Sequence, residues 1–300
     1  MEKDRTEKYL ESYPDVFADI ANVLILGKPL IQETDLQDGP KESVYKEEHA
    51  NKLLEQRRDI SKYVEKSGVE IALVGIENQE KADSDMVFRV MGYDYTSYRS
   101  QINSKSERRY PVISAVLYFG RTPWEQPCTI KQAIEIPEGY EQAVSDYKIH
   151  VVDVPRIPRE IREQLTSDFR AVADFFANRE RPDYMPDKQE LMHAEAVLQL
   201  LRVFTKDKRY ARIEADIREK IQEGVSVSMC DFAERMERQG IEQGIEQGIE
   251  QGIKALVETC AELNVPREEI QDKLAQKFEL TVDEAKEYME RYYIQPELLR

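Results

Sequence analysis

Three residues near one end of an apolar run have the types and spacing to do chemistry. In VEIALVGIENQE, residues 69–80, a stretch suited to a buried strand turns polar at Glu77, Asn78 and Gln79. Side chains alternate along a strand, so Ile71, Leu73, Gly75, Glu77 and Gln79 share one face and Ala72, Val74, Ile76 and Asn78 the other. Glu77 and Gln79 therefore point the same way. Upstream, RRDISKYV reads as the partner arm of a hairpin, and antiparallel pairing brings Asp59 to the same end of the sheet as Glu77. Two carboxylates held close together repel unless a proton or a cation lies between them. A magnesium ion suits such a pair, because it takes oxygen ligands and keeps several waters. Asp15 or Asp19, one turn apart on the first helix, could complete the cluster. The chemistry available to such a group is metal-assisted phosphodiester hydrolysis, with no covalent nucleophile.

The elements that must position these residues can be read from periodicity. Residues 5–27 show apolar residues at helical spacing, with Pro14 as a point where the pattern breaks. Residues 28–50 are polar, contain Pro29, Gly39 and Pro40, and read as loop. The hairpin spans 57–79 with its turn at EKSG, where Gly68 supplies a positive φ. Helix competes with strand over 57–66. A helix over 83–103, capped by Asp83 or Ser84, precedes a buried strand over 110–120 and another strand over 146–154. Beyond Pro158 the texture is helical, with segments at 159–178, 188–204 and 208–238. The final 45 or so residues read as a helical pair, one helix starting at Val265-Pro266 and the other at the Thr281/Glu284 capping box.

Composition narrows the class. The 300 residues are 41% apolar and 34% charged, with a net charge of −16. The balance disfavours general nucleic-acid binding, although residues 51–150 are close to neutral and carry Arg99, Lys105, Arg108, Arg109 and Arg121. Such a group is ordinarily a solvated surface. No apolar run is long enough to span a bilayer, and the charged N-terminus lacks a secretion signal. Cys128, Cys230 and Cys260 are odd in number and far apart, which disfavours a disulfide framework or zinc site and fits the cytoplasm. His49, His150 and His193 form no zinc motif, so metal chemistry would rest on carboxylates and a hard ion.

The order Asp15, Asp59, Glu77-x-Gln79 resembles the PD-(D/E)XK nuclease superfamily. It is more closely similar to the recombination-promoting nuclease/putative transposase (YhgA-like) family. PDVFADIANVL, RRDISKYV, GIENQ, RVMGYDYTSYRSQ, YPVISAVLYFGRTPW and DYKIHVVDV carry the resemblance, over roughly residues 10–180. The resemblance implies an α+β fold, a mixed sheet flanked by helices with an αβββαβ core, followed by a helical C-terminal half. It implies a metal-dependent DNA endonuclease using magnesium or manganese, with Asp59 and Glu77 as metal ligands, Gln79 positioning water and Asp15 as the helix acid beside them. Gln79 stands where many superfamily members place lysine; its amide can orient water or bond phosphate but carries no charge. The implied organisation is a nuclease domain over 1–180, a helical extension over 181–239, the repeat over 240–253 and a helical pair over 254–300.

Other readings of the same residues stand beside this one. Glu77 could pair with Arg57 or Arg58, and Asp59 could be a turn or cap residue. Arg89 and Arg99 could bind phosphate or satisfy acids on neighbouring turns. Tyr93 and Trp124 read as packing residues. The whole chain could be a catalytically inactive nuclease-fold assembly protein.

GIEQGIEQGIEQGI, residues 240–253, repeats every four residues. On a helix this drifts about 40° per copy, so Ile241, Ile245, Ile249 and Ile253 form a slowly winding stripe beside Gly240, Gly244, Gly248 and Gly252. Each glycine costs an isolated helix about 1 kcal/mol relative to alanine. Either a partner helix offsets that cost in a homo-oligomer, or the segment is a partly helical linker.

Overall fold

The structure is a computed structural model, and it describes residues 10–40, 42–46, 53–57, 59–104, 108–181 and 183–293. Among the described residues seven strands form: β1 (Leu36–Asp38), β2 (Glu42–Lys46), β3 (Leu53–Arg57), β4 (Ile60–Lys66), β5 (Val69–Gln79), β6 (Val112–Tyr118) and β7 (His150–Asp153). The helices are α1 (Pro14–Ile20), α2 (Met86–Asn103), α3 (Ile130–Ala133), α4 (Arg159–Arg162), α5 (Phe169–Asn178), α6 (Ala194–Thr205), α7 (Arg209–Gln222), α8 (Met229–Glu262), α9 (Arg267–Phe278) and α10 (Val282–Tyr292). By contacts the chain divides into two compact units between Phe232 and Ala233.

In the first unit a five-stranded mixed sheet runs β1-β4-β5-β6-β7, with β1, β4 and β5 antiparallel and β5, β6 and β7 parallel. The hairpin expected over 57–79 forms as β4 and β5. Its turn places both Ser67 (φ 53°) and Gly68 (φ 74°) in the left-handed region. That two-residue geometry matches the strand twist, and glycine adopts it without strain. The sheet is buried on both faces. On one, α2 sets Met86, Val87, Val90 and Tyr93 against Val116 and Ile149. On the other, Phe17 of α1 lies under the Lys62 ammonium, and Phe119 meets Phe176 of α5 edge-on.

Several boundaries differ from the sequence expectation. Residues 28–50 are not all loop: β1 pairs with β4, Leu36 opposite Val64, and β2 pairs with β3. An edge strand of three residues has too little pattern to announce itself; its partner creates it. The first helix is interrupted, because Leu10–Ser12 form a 3-10 turn before Pro14 restarts the chain as α1; residues 5–9 lie outside the described residues. The expected helix over 159–178 breaks into α4 and α5. That over 208–238 breaks between α7 and α8, where Gly224 takes φ 74°. Ser228 and Asp231 then open α8 reciprocally. The Asp231 carboxylate accepts from Ser228 N (2.9 Å) and Oγ (2.7 Å), while Asp231 N donates to Ser228 Oγ (3.3 Å).

The second unit packs Ile253 and Val257 of α8 against Ile270, Leu274, Ala285 and Met289 of α9 and α10. The expected pair of helices forms, with Thr281 and Glu284 as a capping box: Thr281 N donates to Glu284 Oε2 at 2.8 Å. The repeat is helical throughout, within α8.

Candidate functional site

Asp59 sits one residue before β4, and the register that pairs Ile60 with Ile76 continues to place it opposite Glu77. Its Oδ2 accepts from Asn78 N at 2.8 Å. That bond ties the upstream acid to the polar end of β5. Glu77 is only 5% exposed. Its Oε1 receives three donors: Arg89 Nη2 at 2.6 Å, Gln79 Nε2 at 3.1 Å and Tyr93 Oη at 3.5 Å. Its Oε2 is buried with no hydrogen-bond partner among the described residues. Burial, then the Asp59 charge, push the Glu77 carboxyl up from 4.5 to about 7, and Arg89 opposes them. The same group is thus half-satisfied and half-open.

Arg89 comes from α2, one residue past its first turn. It spans Glu77 and Asp83, with Nη1 donating to Asp83 Oδ2 at 2.9 Å. Asp83 is itself fixed by accepting from Asp85 N just before α2 begins. So Asp83, one of the two residues expected to cap α2, instead helps hold the arginine against the site. The side chains of Arg57 and Arg58, the alternative partners for Glu77, lie outside those described; the partner found is Arg89.

Asp15, expected as the helix acid beside the pair, is placed elsewhere. Both of its carboxylate oxygens lie 3.0 Å from His193 Nε2, and the His193 ring stacks on Tyr13 at 3.8 Å. Asp19 receives Thr166 N, Ser167 N and Ser167 Oγ, and so fastens the start of α5. The acid that does reach the pair is Glu11. It is 1% exposed, and among the described residues neither its oxygens nor the Asn78 side-chain amide atoms close a hydrogen bond. Burial is the main cause that raises Glu11 to about 7, with the Asp59 charge adding to it and the nearby Asn78 amide opposing. The sequence did not show this because a continuous helix would set residue 11 off the apolar stripe. The 3-10 turn changes the rotation ahead of Pro14 and turns Glu11 inward. An acid flanked by a buried leucine and a proline-broken helix start was the available signal.

Tyr93 packs as expected but also hands its hydroxyl to Glu77, and Trp124 packs edge-on against Tyr118. Arg99 is exposed on α2, and Lys105 lies outside the described residues, as does His49. Among the described residues no group of three or more His, Cys, Asp or Glu side chains is arranged to hold a metal ion. Two carboxylates with one orphaned buried oxygen do fit a hard divalent cation, which ordinarily uses one or two carboxylates and completes its shell with water and substrate phosphate.

Residues 66–208 match the family model described as putative transposase, YhgA-like. The match covers just under half of the chain. It takes in Glu77, Gln79 and Arg89 and stops short of Asp59 and Glu11. No curated protein and no solved structure matches the chain. The YhgA-like match therefore spans β5, α2, β6, β7 and the helices through α6. No helix among the described residues is long and apolar enough to cross a membrane.

Proposed function

We propose that this chain is a divalent-metal-dependent DNA endonuclease serving recombination or transposition-like events. The observation that carries this reading is the meeting of Asp59 with the buried Glu77 at the polar end of β5, with Glu77 Oε2 left unpartnered among the described residues. The similarity to the YhgA-like family supports it, as does the order α1, antiparallel sheet strands β1, β4 and β5 with the β2–β3 pair inserted, α2 and parallel β6, which is consistent with a PD-(D/E)XK-like core. Asp59 and Glu77 would hold magnesium or manganese. A cation bound there supplies Lewis-acid polarisation of the phosphate and a water acidified enough to attack at neutral pH. Gln79, already aligned by its bond to Glu77, presents its amide oxygen to orient that water. Arg89 supplies the positive charge that glutamine lacks where many relatives carry lysine, and Tyr93 fixes the Glu77 rotamer. The protein would act in the cytoplasm as a homo-oligomer through 240–253; the three cysteines are all free, which fits a reducing compartment.

Nicking of supercoiled plasmid by purified protein tests this. Cleavage is expected with magnesium or manganese and not with a chelator, and loss of about a thousandfold or more in Asp59→Ala and Glu77→Ala. Wild-type rates in both variants would remove the assignment.

One observation favours a second reading. Arg89 already neutralises Glu77 at 2.6 Å, so the pair can be a purely structural ion pair in a catalytically inactive nuclease-fold assembly protein. Calorimetric titration with manganese separates the two: heat that vanishes in Asp59→Ala supports the enzyme, and no heat in the wild type supports the assembly protein.

A further inference from the structure

The carboxyl ends of β6 and β7 border a second polar cavity that the acid pair does not use. It is open, about 290 Å³, and lined by Arg121, Arg156, Arg179, Phe176 and Glu180. The chain as a whole carries −16, so three guanidiniums on one cavity are not a sample of a generally basic surface.

Each arginine is placed by a different device. Arg156 is fixed by Asp153 Oδ1 (2.8 Å) and by the carbonyls of Gly120 and Arg121. Gly120 itself is held against the Tyr118 ring, which a Cβ there would strike. Arg179 is only 12% exposed and lies over the Phe176 ring at 4.6 Å. Its guanidinium has five donors and closes a hydrogen bond with none of the described residues. Burial, together with the Arg121 and Arg156 charges, depresses its proton affinity against the pull of Glu180. Arg121, 80% exposed, stands at the cavity rim on the loop after β6. Glu180 stands 3.8 Å from Arg179 and 3.9 Å from Arg121, beyond hydrogen-bond reach, and is 74% exposed. It offsets charge without bonding, and it can turn away into solvent.

The Arg179 donors face the open cavity, and an anion with several oxygens would take them and offset the mutual repulsion of the three guanidiniums. Planar guanidiniums match phosphate oxygens in geometry as well as charge. We propose that Arg121, Arg156 and Arg179 form a phosphate-binding site that takes a backbone phosphodiester of a nucleic-acid strand. The phosphate chemistry stands on the cavity alone; the nucleic-acid source rests on the endonuclease reading. It is favoured by position. Gln79, Tyr118 and Asp153 are in register across β5, β6 and β7, so the cavity lies at the same end of the sheet as Glu77, on the α5 side of that edge where Glu77 faces α2. Two strand spacings, about 10 Å, separate β5 from β7, a span that one nucleic-acid strand crosses within a few nucleotides.

The test is fluorescence anisotropy with a labelled 20-base-pair duplex in chelator, so that no cleavage contributes. Arg121→Gln and Arg179→Gln should each weaken binding about tenfold and lower the slope of log affinity against log salt by about one. Glu180→Gln should tighten it severalfold, a change that misfolding cannot mimic. Inorganic phosphate against chloride of equal ionic strength, read as a melting shift, forms the second arm. A phosphate-specific shift lost in Arg179→Gln, with duplex binding unmoved by any variant, would support the site and overturn nucleic acid as its source. Unchanged binding and no phosphate-specific shift would overturn the site. If the duplex pattern holds while plasmid nicking fails, the endonuclease reading fails and this site stands.

Discussion

At the scale of single residues, two buried glutamates flank Asp59 from different elements, and both are raised to about 7. A carboxyl raised in the folded state stabilises the fold below its ordinary 4.5 and loses that contribution as pH climbs through about 7. Stability should therefore fall between pH 5 and pH 8. Glu11→Gln keeps the shape and removes the charge, so it should flatten that fall. At pH 8 it should gain about 1–3 kcal/mol over wild type, converging with it near pH 5; urea melts at both values check this. Arg89→Ala removes the cation from a 5%-exposed carboxylate. Arg89 is itself partly exposed, so the loss should be about 1–2 kcal/mol rather than that of a fully buried pair. It should be smaller at pH 5.5, where Glu77 is protonated.

At the scale of elements, the cap of α8 and the repeat within it invite different tests. Asp231 is lowered to about 2: burial raises it, but the bonds from Lys220 and Ser228 outweigh that. A lowered carboxylate stabilises above its ordinary 3.8 and loses the effect as pH falls through about 2. Asp231→Asn should cost about 1 kcal/mol at pH 7 and progressively less in strong acid, by thermal melts. In the repeat, a Cβ added at Gly244 or Gly248 meets nothing within 4 Å, whereas at Gly252 it meets the Phe278 ring at 3.3 Å. Gly244→Ala and Gly248→Ala should each gain about 1 kcal/mol of helix stability in the single chain. Ile241, Ile245 and Ile249 are exposed while Ile253 is wholly buried. If the exposed part of the stripe pairs with a second copy, deleting 240–253 should halve the mass seen by light scattering. An unchanged mass would end the self-association proposal.

At the scale of the whole molecule, legibility followed the range of the interactions. Hairpin, turn, α2, the two parallel strands and the C-terminal capping box were readable because each is written in a few adjacent residues. The alternation of β5, the left-handed position at Gly68 and the Thr281/Glu284 spacing needed no distant partner. The short strand β1 was not readable, since only β4 makes it a strand. Nor were the breaks before α5 and α8, which a helical period runs straight across.

The site divides in the same way. Sequence alone determined that Glu77 and Gln79 share a face at the polar end of β5, and, once 57–66 is strand rather than helix, that Asp59 lies at the same end, because strand alternation and antiparallel pairing are local rules. Tertiary structure alone decided which other groups join them. Arg89 arrives because α2 packs across that face of the sheet, and Glu11 rather than Asp15 because a 3-10 turn changes the rotation of the chain ahead of Pro14. Three arginines separated by up to 58 positions share one cavity because β6, β7 and α5 end together. Periodicity fixes the face a side chain takes on its own element, but the neighbours it meets are set by packing between elements, which no local pattern encodes.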